Sequence, residues 1–227
     1  EEIDLTKLPD GDKLTAELLA SAETFGVFQM ESAGMRRYVA ELRPENIGEL
    51  AAMVALFRPG PMEHIPRYID VKFGKAEAHY PHEDLANILD ETNGVITYQD
   101  QVLQIARQFA GYTLGQADVM RKAMGKKIPE VMLQERQGFI EGSIAQGYEK
   151  ETAEILFDLF EPFAGYAFNK AHAFSYATIA YQTAYLKAHY PLEYMTAVLM
   201  AAGGSQDRLA MAIRECKRLD IEVLPPD

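Results

Sequence analysis

Gly94-Val95-Ile96-Thr97-Tyr98-Gln99-Asp100-Gln101-Val102-Leu103-Gln104-Ile105-Ala106-Arg107-Gln108-Phe109-Ala110-Gly111 is the stretch on which the fold turns. Val102, Ile105, Ala106 and Phe109 recur at i, i+3, i+4 and i+7, the spacing of one helix face. Gly111 ends that helix, because glycine alone adopts a left-handed cap without steric cost. The β-branched run ahead of it, Gly94 to Tyr98, is long enough only for a short strand or an extended lead-in. The helical period then continues in both directions. Upstream it picks out Leu14/Leu18/Leu19, Met35/Tyr38/Val39/Leu42, Leu50/Met53/Val54/Phe57 and Ile65/Tyr68/Ile69/Phe73. Arg58-Pro59-Gly60-Pro61 interrupts it, since two prolines around a glycine cannot continue a helix. Downstream the pattern predicts a helix from about Gln116 to Met124 capped by Gly125, then a helical hairpin, 129–146 and 150–161, around Gly147. A long helix over 171–190 stops at Pro191, which suits the first turn of the next helix, to Ala202. Ser205 caps a last helix with Leu209, Ala212, Ile213 and Cys216 on one face. The expectation is an all-α chain with at most very short strands and a seam near residues 74–93.

The composition agrees with a globular protein. The chain has 227 residues, 48% of them hydrophobic and 25% charged. That length suits one large domain or two small ones and buries about 70% of the unfolded chain's surface. One cysteine excludes a disulfide framework and a multi-thiolate zinc site. No apolar run reaches the roughly 18 residues of a membrane span, and no signal peptide opens the chain. The expectation is a cytosolic location, and both ends read as cuts in a longer protein.

With 22 Lys+Arg against 34 Asp+Glu, the net charge of −12 argues against nucleic acid as a partner. The distribution argues otherwise. Residues 92–129 hold only Asp100 and Asp118 as acids, and residues 162–192 hold none while carrying Lys170, His172, Lys187 and His189. Such acid-free stretches suit an anion-binding face on an acidic protein. A buried helix over 162–192 would exclude acids equally well. Composition leaves both readings open.

Two motifs carry chemistry. In Ala117-Asp118-Val119-Met120-Arg121-Lys122-Ala123-Met124-Gly125-Lys126-Lys127, four cations fall around a helix end. Arginine offers a planar donor fork and lysine a mobile point charge, a pairing that suits a triphosphate or a nucleic-acid backbone. Cations also complement a helix C-terminal dipole, but four exceed that need. In Phe163-Ala164-Gly165-Tyr166-Ala167-Phe168-Asn169-Lys170-Ala171-His172, aromatics precede Asn, Lys and His. Aromatics can stack on bases and the cations can reach phosphates. Residue chemistry alone favours a packed aromatic corner with Asn169 as helix cap. Arg58 in its Pro-Gly-Pro setting reads first as part of a rigid connector, and second as a ligand contact. Tyr98, Gln99 and Gln101 can read a base pair or a ribose, although any amphipathic helix has such a polar face.

Other sites are discounted. His79-x-x-His82 spans a proline and lacks the helical spacing of paired metal ligands. Cys216 lies on an apolar helix face. Asp10-Gly11-Asp12 sits in a polar turn without a strand to aim it. There is no Walker loop, Gly-x-Gly-x-x-Gly or Gly-x-Ser-x-Gly turn. The chain thus offers a phosphate-binding surface without carboxylates for two-metal catalysis.

At this point the sequence closely resembles the bacterial DNA polymerase III alpha subunits, the family C replicative polymerases. The resemblance rests on Thr24-Phe25-Gly26-Val27-Phe28-Gln29-Met30-Glu31-Ser32, Arg58-Pro59-Gly60-Pro61, Gly94 to Val102, Ala110 to Lys127, Phe163 to His172, Tyr181 to Pro191 and Leu224 to Asp227, in the family's order. It implies that residues 1–227 are a fingers region, with possible sub-units 1–91 and 92–204 and with 205–227 leading to the next domain. It implies an upstream palm whose aspartates bind Mg²⁺, so that the fragment alone has no polymerase activity. Arg121, Lys122 and Lys126 would contact the deoxynucleoside triphosphate. Phe168, Asn169, Lys170, His172 and Arg58 would face the nascent base pair or DNA. Implied partners are primed template DNA and other holoenzyme subunits in a bacterial cytoplasm, with no membrane. Two departures stand out. The family usually has two arginines where this chain has Arg121-Lys122, and Asn-Lys-Ser-His where it has Asn169-Lys170-Ala171-His172. The alternative is a helical nucleic-acid-binding or protein-interaction module without triphosphate specificity.

Overall fold

The computed structural model describes residues 3–126, 129–164 and 166–224. It is all-α. The α-helices are α1 (Lys13–Ala20), α2 (Ala33–Leu42), α3 (Ile47–Leu56), α4 (Ile65–Lys72), α5 (Ala86–Leu89), α6 (Gln99–Ala110) and α7 (Leu114–Lys126). They continue with α8 (Pro129–Ala145), α9 (Lys150–Ala164), α10 (Lys170–His189), α11 (Pro191–Ala202) and α12 (Gln206–Arg218). Among the described residues the only β pairing outside helices is a single parallel bridge between Tyr98 and Phe168. Local chemistry sets most boundaries. Ser32, Asp12 and Ser205 each accept a hydrogen bond from a first-turn N–H, and Gly111 takes the left-handed cap at φ +68°.

The chain forms two compact units, Glu1–Val54 with Phe174–Asp227, and Ala55–Ala173. This differs from the division at residue 92 that the sequence suggested. The reason is long-range pairing. In the first unit the Asp12 N–H donates to the Tyr181 hydroxyl at 2.9 Å, and that hydroxyl donates to the Pro9 carbonyl at 2.6 Å. His189 Nε2 lies 2.8 Å from Asp12 Oδ2. An ionised carboxylate can only accept, so Nε2 carries the proton. The Lys187 ammonium, 2% exposed, donates to the carbonyls of Glu23 and Phe25 and to Glu215 Oε1. Beside it Phe25, Met195, Ala212 and Cys216 form a small apolar core. Ile213, expected on the buried face of α12, is 42% exposed, and Glu215 takes the inward position to meet Lys187.

The core of the second unit is built from Val102, Ile105, Ala106 and Phe109 of α6, Ala117 and Met120 of α7, Phe139 of α8, and Leu156, Phe157 and Phe160 of α9. Gly147 turns the α8–α9 hairpin at φ +97°. α7 runs through Gly125 to Lys126, so Gly125 is not its cap as the sequence suggested. Gly142 lets α8 approach α6 closely: a Cβ there would stand 2.5 Å from the Ala110 carbonyl oxygen.

Two predictions follow from these contacts. In an exposed helix, Gly→Ala gains about 1 kcal/mol. At Gly142 the intruding methyl meets backbone, and overpacking of that kind costs about 1–3 kcal/mol. Gly142→Ala should therefore lower stability in urea denaturation, and a stabilised variant would contradict the packing. Hydrogen bonds from His189 and from the Thr15 N–H and hydroxyl outweigh burial and hold the Asp12 carboxyl below its usual value. A depressed folded value means stability that is present above the unfolded value, near 4, and lost as pH falls through the folded value. Asp12→Asn keeps a good cap and loses the charge. Its unfolding free energy should vary less with pH between about 3 and 5; a variant with the wild-type slope would exclude Asp12 as a source.

Candidate functional site

Both motifs lie in the second unit, and each can be built from its own contacts. The aromatic corner starts at Gln101, which is 1% exposed. Its Oε1 accepts from the N–H groups of Thr97 and Tyr98 at 2.8 and 2.9 Å. Its Nε2 donates to Thr92 Oγ1 at 2.8 Å. This fixes the extended lead-in of α6, so Gln101 serves the backbone rather than a base. The lead-in then pairs with the second motif: the Phe168 N–H donates to the Thr97 carbonyl and the Gln99 N–H to the Phe168 carbonyl, both at 2.9 Å.

Several side chains lie around this bridge. Arg58 Nε donates to the Ala55 carbonyl at 2.9 Å and Nη2 to the Tyr166 carbonyl at 2.7 Å. Its guanidinium lies 4.5 Å from the centre of the Phe168 ring, a cation–π distance. Burial pulls its pKa down, yet an arginine stays charged. Gly60, at φ +96°, lies under the Tyr166 ring, 3.4 Å from where a Cβ would be. Lys170 Nζ binds both oxygens of Glu91, at 2.8 and 2.6 Å, and lies 5.6 Å from the Tyr98 ring centre. Asn169 caps α10 as the sequence suggested, its Oδ1 accepting from the His172 N–H at 2.8 Å. The exposed His172 ring sits 5.4 Å from that of Phe168. The structure therefore brings Arg58, Phe168, Asn169, Lys170 and His172 together, with Arg58 and Lys170 engaged in holding the corner. Tyr166, also in this corner, is 45% exposed.

The basic cluster sits on α7. Ala117 and Met120 anchor one face of the helix in the core. Arg121 Nη2 lies 2.9 Å from Asp118 Oδ1, and Lys122 Nζ lies 2.6 Å from Asp118 Oδ2. These two contacts hold the Asp118 carboxyl below the usual range, Lys122 contributing most. The Arg121 side chain is 17% exposed and that of Lys122 64%. Arg121 Nε is buried without a hydrogen-bond partner. Lys126 is exposed at the helix end. Lys127 lies outside the described residues. Two of the three cations thus share one carboxylate, and the C-terminal half of α7 carries a net positive charge.

The acid-free stretch resolves into parts. Lys187 is buried and His189 is tied to Asp12, so neither contributes to a cationic surface. α10 buries Ala173, Ala177, Ala180 and Ala184 and exposes His172, Ser175 and Ile179, so burial accounts for one face only. Sequence reasoning missed two carboxylates. Asp118 had a local signal, its spacing of three and four residues from the two cations. Glu91 is 79 residues from Lys170 and had none. Among the described residues no group of three or more His, Cys, Asp and Glu is arranged to hold a metal. Asp10 accepts from the Ile47 N–H and Asp12 caps α1.

Residues 1–147 match the family model described as the bacterial DNA polymerase III alpha subunit finger domain. The whole chain is similar to proteins named DNA polymerase III subunit alpha. Identity is 49% to that of Thermus aquaticus over 100% of the chain, and 46% to that of Bacillus subtilis over 99%. To that of Escherichia coli K12 it is 45% over 99%. The chain spans about a fifth of the length of these relatives, 19–20%.

Proposed function

Because the chain belongs to the bacterial DNA polymerase III alpha subunit family, as its finger domain, we propose that it receives the incoming deoxynucleoside triphosphate during template-directed DNA synthesis by the full-length polymerase. The observation that carries this reading is the α7 cluster, where Arg121, Lys122 and Lys126 outnumber the single carboxylate Asp118. A triphosphate brings the negative charge that such a face lacks. Arg121, oriented by Asp118 and mostly buried, would present a fixed donor to a phosphate oxygen. Lys122 keeps the charge without a planar fork, so it acts as a mobile counter-charge. Charge that develops on the departing pyrophosphate is stabilised most by donors already in place, because they need not reorganise during reaction.

The corner of Phe168, Asn169, Lys170, His172 and Arg58 would face the nascent base pair or the DNA. Tyr166 and His172 offer exposed ring surface for stacking on bases. Arg58 and Lys170 would act chiefly by keeping that surface rigid, since their charges are already paired or hydrogen-bonded. Closure of such a rigid face over a correct base pair would exclude water from the reacting phosphates. Among the described residues no carboxylates are grouped to hold the Mg²⁺ that the reaction needs: Asp10 accepts from the Ile47 N–H, Asp12 caps α1, and Asp118 is engaged by two cations. The metal-binding carboxylates, the contacts to other holoenzyme subunits and the cytoplasmic setting would belong to the full-length protein.

The test is Arg121→Ala in the full-length enzyme. Loss of one preorganised donor to transition-state charge costs about 10²–10³ in rate. Primer extension should fall by that factor while circular dichroism is unchanged. Near-normal extension would sink the assignment. Loss of DNA affinity with unchanged nucleotide dependence would favour a helical nucleic-acid-binding module instead.

A further inference from the structure

We infer that Asp118 is a positioning residue for the nucleotide site, holding Arg121 and Lys122 in the geometry that meets the triphosphate; this rests on the reading of α7 given above. Asp118 accepts from both cations through separate oxygens, Arg121 Nη2 at 2.9 Å on Oδ1 and Lys122 Nζ at 2.6 Å on Oδ2. Asp118 lies about one turn before both Arg121 and Lys122, at the i,i+3 and i,i+4 spacings, so a single carboxylate spans two donors without backbone adjustment. Burial makes the pairing consequential. The Arg121 side chain is 17% exposed and its Nε is buried without a hydrogen-bond partner. The Nη2 contact to Asp118 is therefore a specific tether on a guanidinium whose Nε has none. A surface ion pair would matter little, but here the tether fixes which way a planar donor fork points.

A merely electrostatic carboxylate would act in the opposite sense. It would compete with phosphate for the same cations, and its removal would tighten nucleotide binding. A positioning carboxylate would be replaceable by an amide, whose oxygen still accepts from Arg121, but not by a methyl. The variants Asp118→Asn and Asp118→Ala separate the two roles.

The experiment is single-nucleotide incorporation by the full-length polymerase on a primed template, with dATP as the varied nucleotide. Wild type is compared with Asp118→Asn, Asp118→Ala and Arg121→Ala, and melting temperature is recorded for each. The expected result is a KM for dATP raised about tenfold in Asp118→Ala, with DNA affinity and melting temperature unchanged. Asp118→Asn should recover most of that loss. A lowered KM in both Asp118 variants would overturn positioning in favour of simple charge competition. An unchanged KM in Asp118→Ala beside a crippled Arg121→Ala would overturn the inference alone and leave the triphosphate site standing. Normal incorporation by Arg121→Ala would overturn both. Should Asp118→Ala melt early, Asp118→Asn decides: it keeps the acceptor and the fold, and a tenfold rise in KM there would contradict rescue by the amide and so the inference.

Discussion

Two backbone hydrogen bonds, Phe168 N–H to the Thr97 carbonyl and Gln99 N–H to the Phe168 carbonyl, are the constraint on which the arrangement of the second unit's corner depends. They join segments about 70 residues apart, whereas the other backbone hydrogen bonds among the described residues are local ones in helices, turns and caps. Each lies beside the start of a helix, α6 on one side and α10 on the other. Fixing the two starts together brings Arg58 over Phe168 and Lys170 onto Glu91. Such a bridge is weak alone, each hydrogen bond contributing about 1 kcal/mol net. Its strength comes from the side chains closing over it: the Arg58 donors on two carbonyls and the fully engaged Gln101 amide. The polar groups of the corner are mostly spent on this rigidity.

The first unit solves a comparable problem with charge. Lys187 is buried, and an isolated ammonium there would be prohibitive. Burial does pull its pKa down. Three acceptors surround it, and Glu215 is also held by Arg218 Nε and Nη2 at 3.0 and 2.8 Å. Arg218 reaches Glu23 as well, at 3.2 Å. Two cations thus meet two carboxylates, and the hydrogen bonds offset desolvation. The Ala177, Ala180 and Ala184 stripe on α10 has small side chains throughout. Lys187 thus ends an otherwise small-residue stripe in a unit that also buries Leu19, Met30, Met35, Val39, Leu50 and Met53.

Much of this was legible in the sequence. Apart from α5, which falls in the stretch read as a seam, the helices followed from their apolar period, and α11 and the cap of α12 from Pro191 and Ser205. Gly125 misled: the backbone there does not turn left-handed, and α7 continues through it to Lys126. The division into units was not legible, since it depends on pairings such as Asp12 with His189, 177 residues apart. In the candidate site the cations were visible and their carboxylates were not weighed. Lys187 carried a usable signal: it continues the Ala173, Ala177, Ala180, Ala184 stripe, so the same period that predicts burial predicts a buried lysine. Glu91 carried none, because a salt bridge across 79 residues leaves no trace in local spacing.

Under the proposed function, the corner is rigid before any ligand arrives and the triphosphate lands on α7. Hydrogen–deuterium exchange on the full-length polymerase tests both at once, comparing free enzyme, enzyme with primed template, and the same complex with the correct nucleotide. The amides of Gln99 and Phe168 should be protected already in the free enzyme. Those of residues 117–126 should gain protection only when nucleotide is added. Protection of 117–126 by template alone, with no further change on adding nucleotide, would contradict the account.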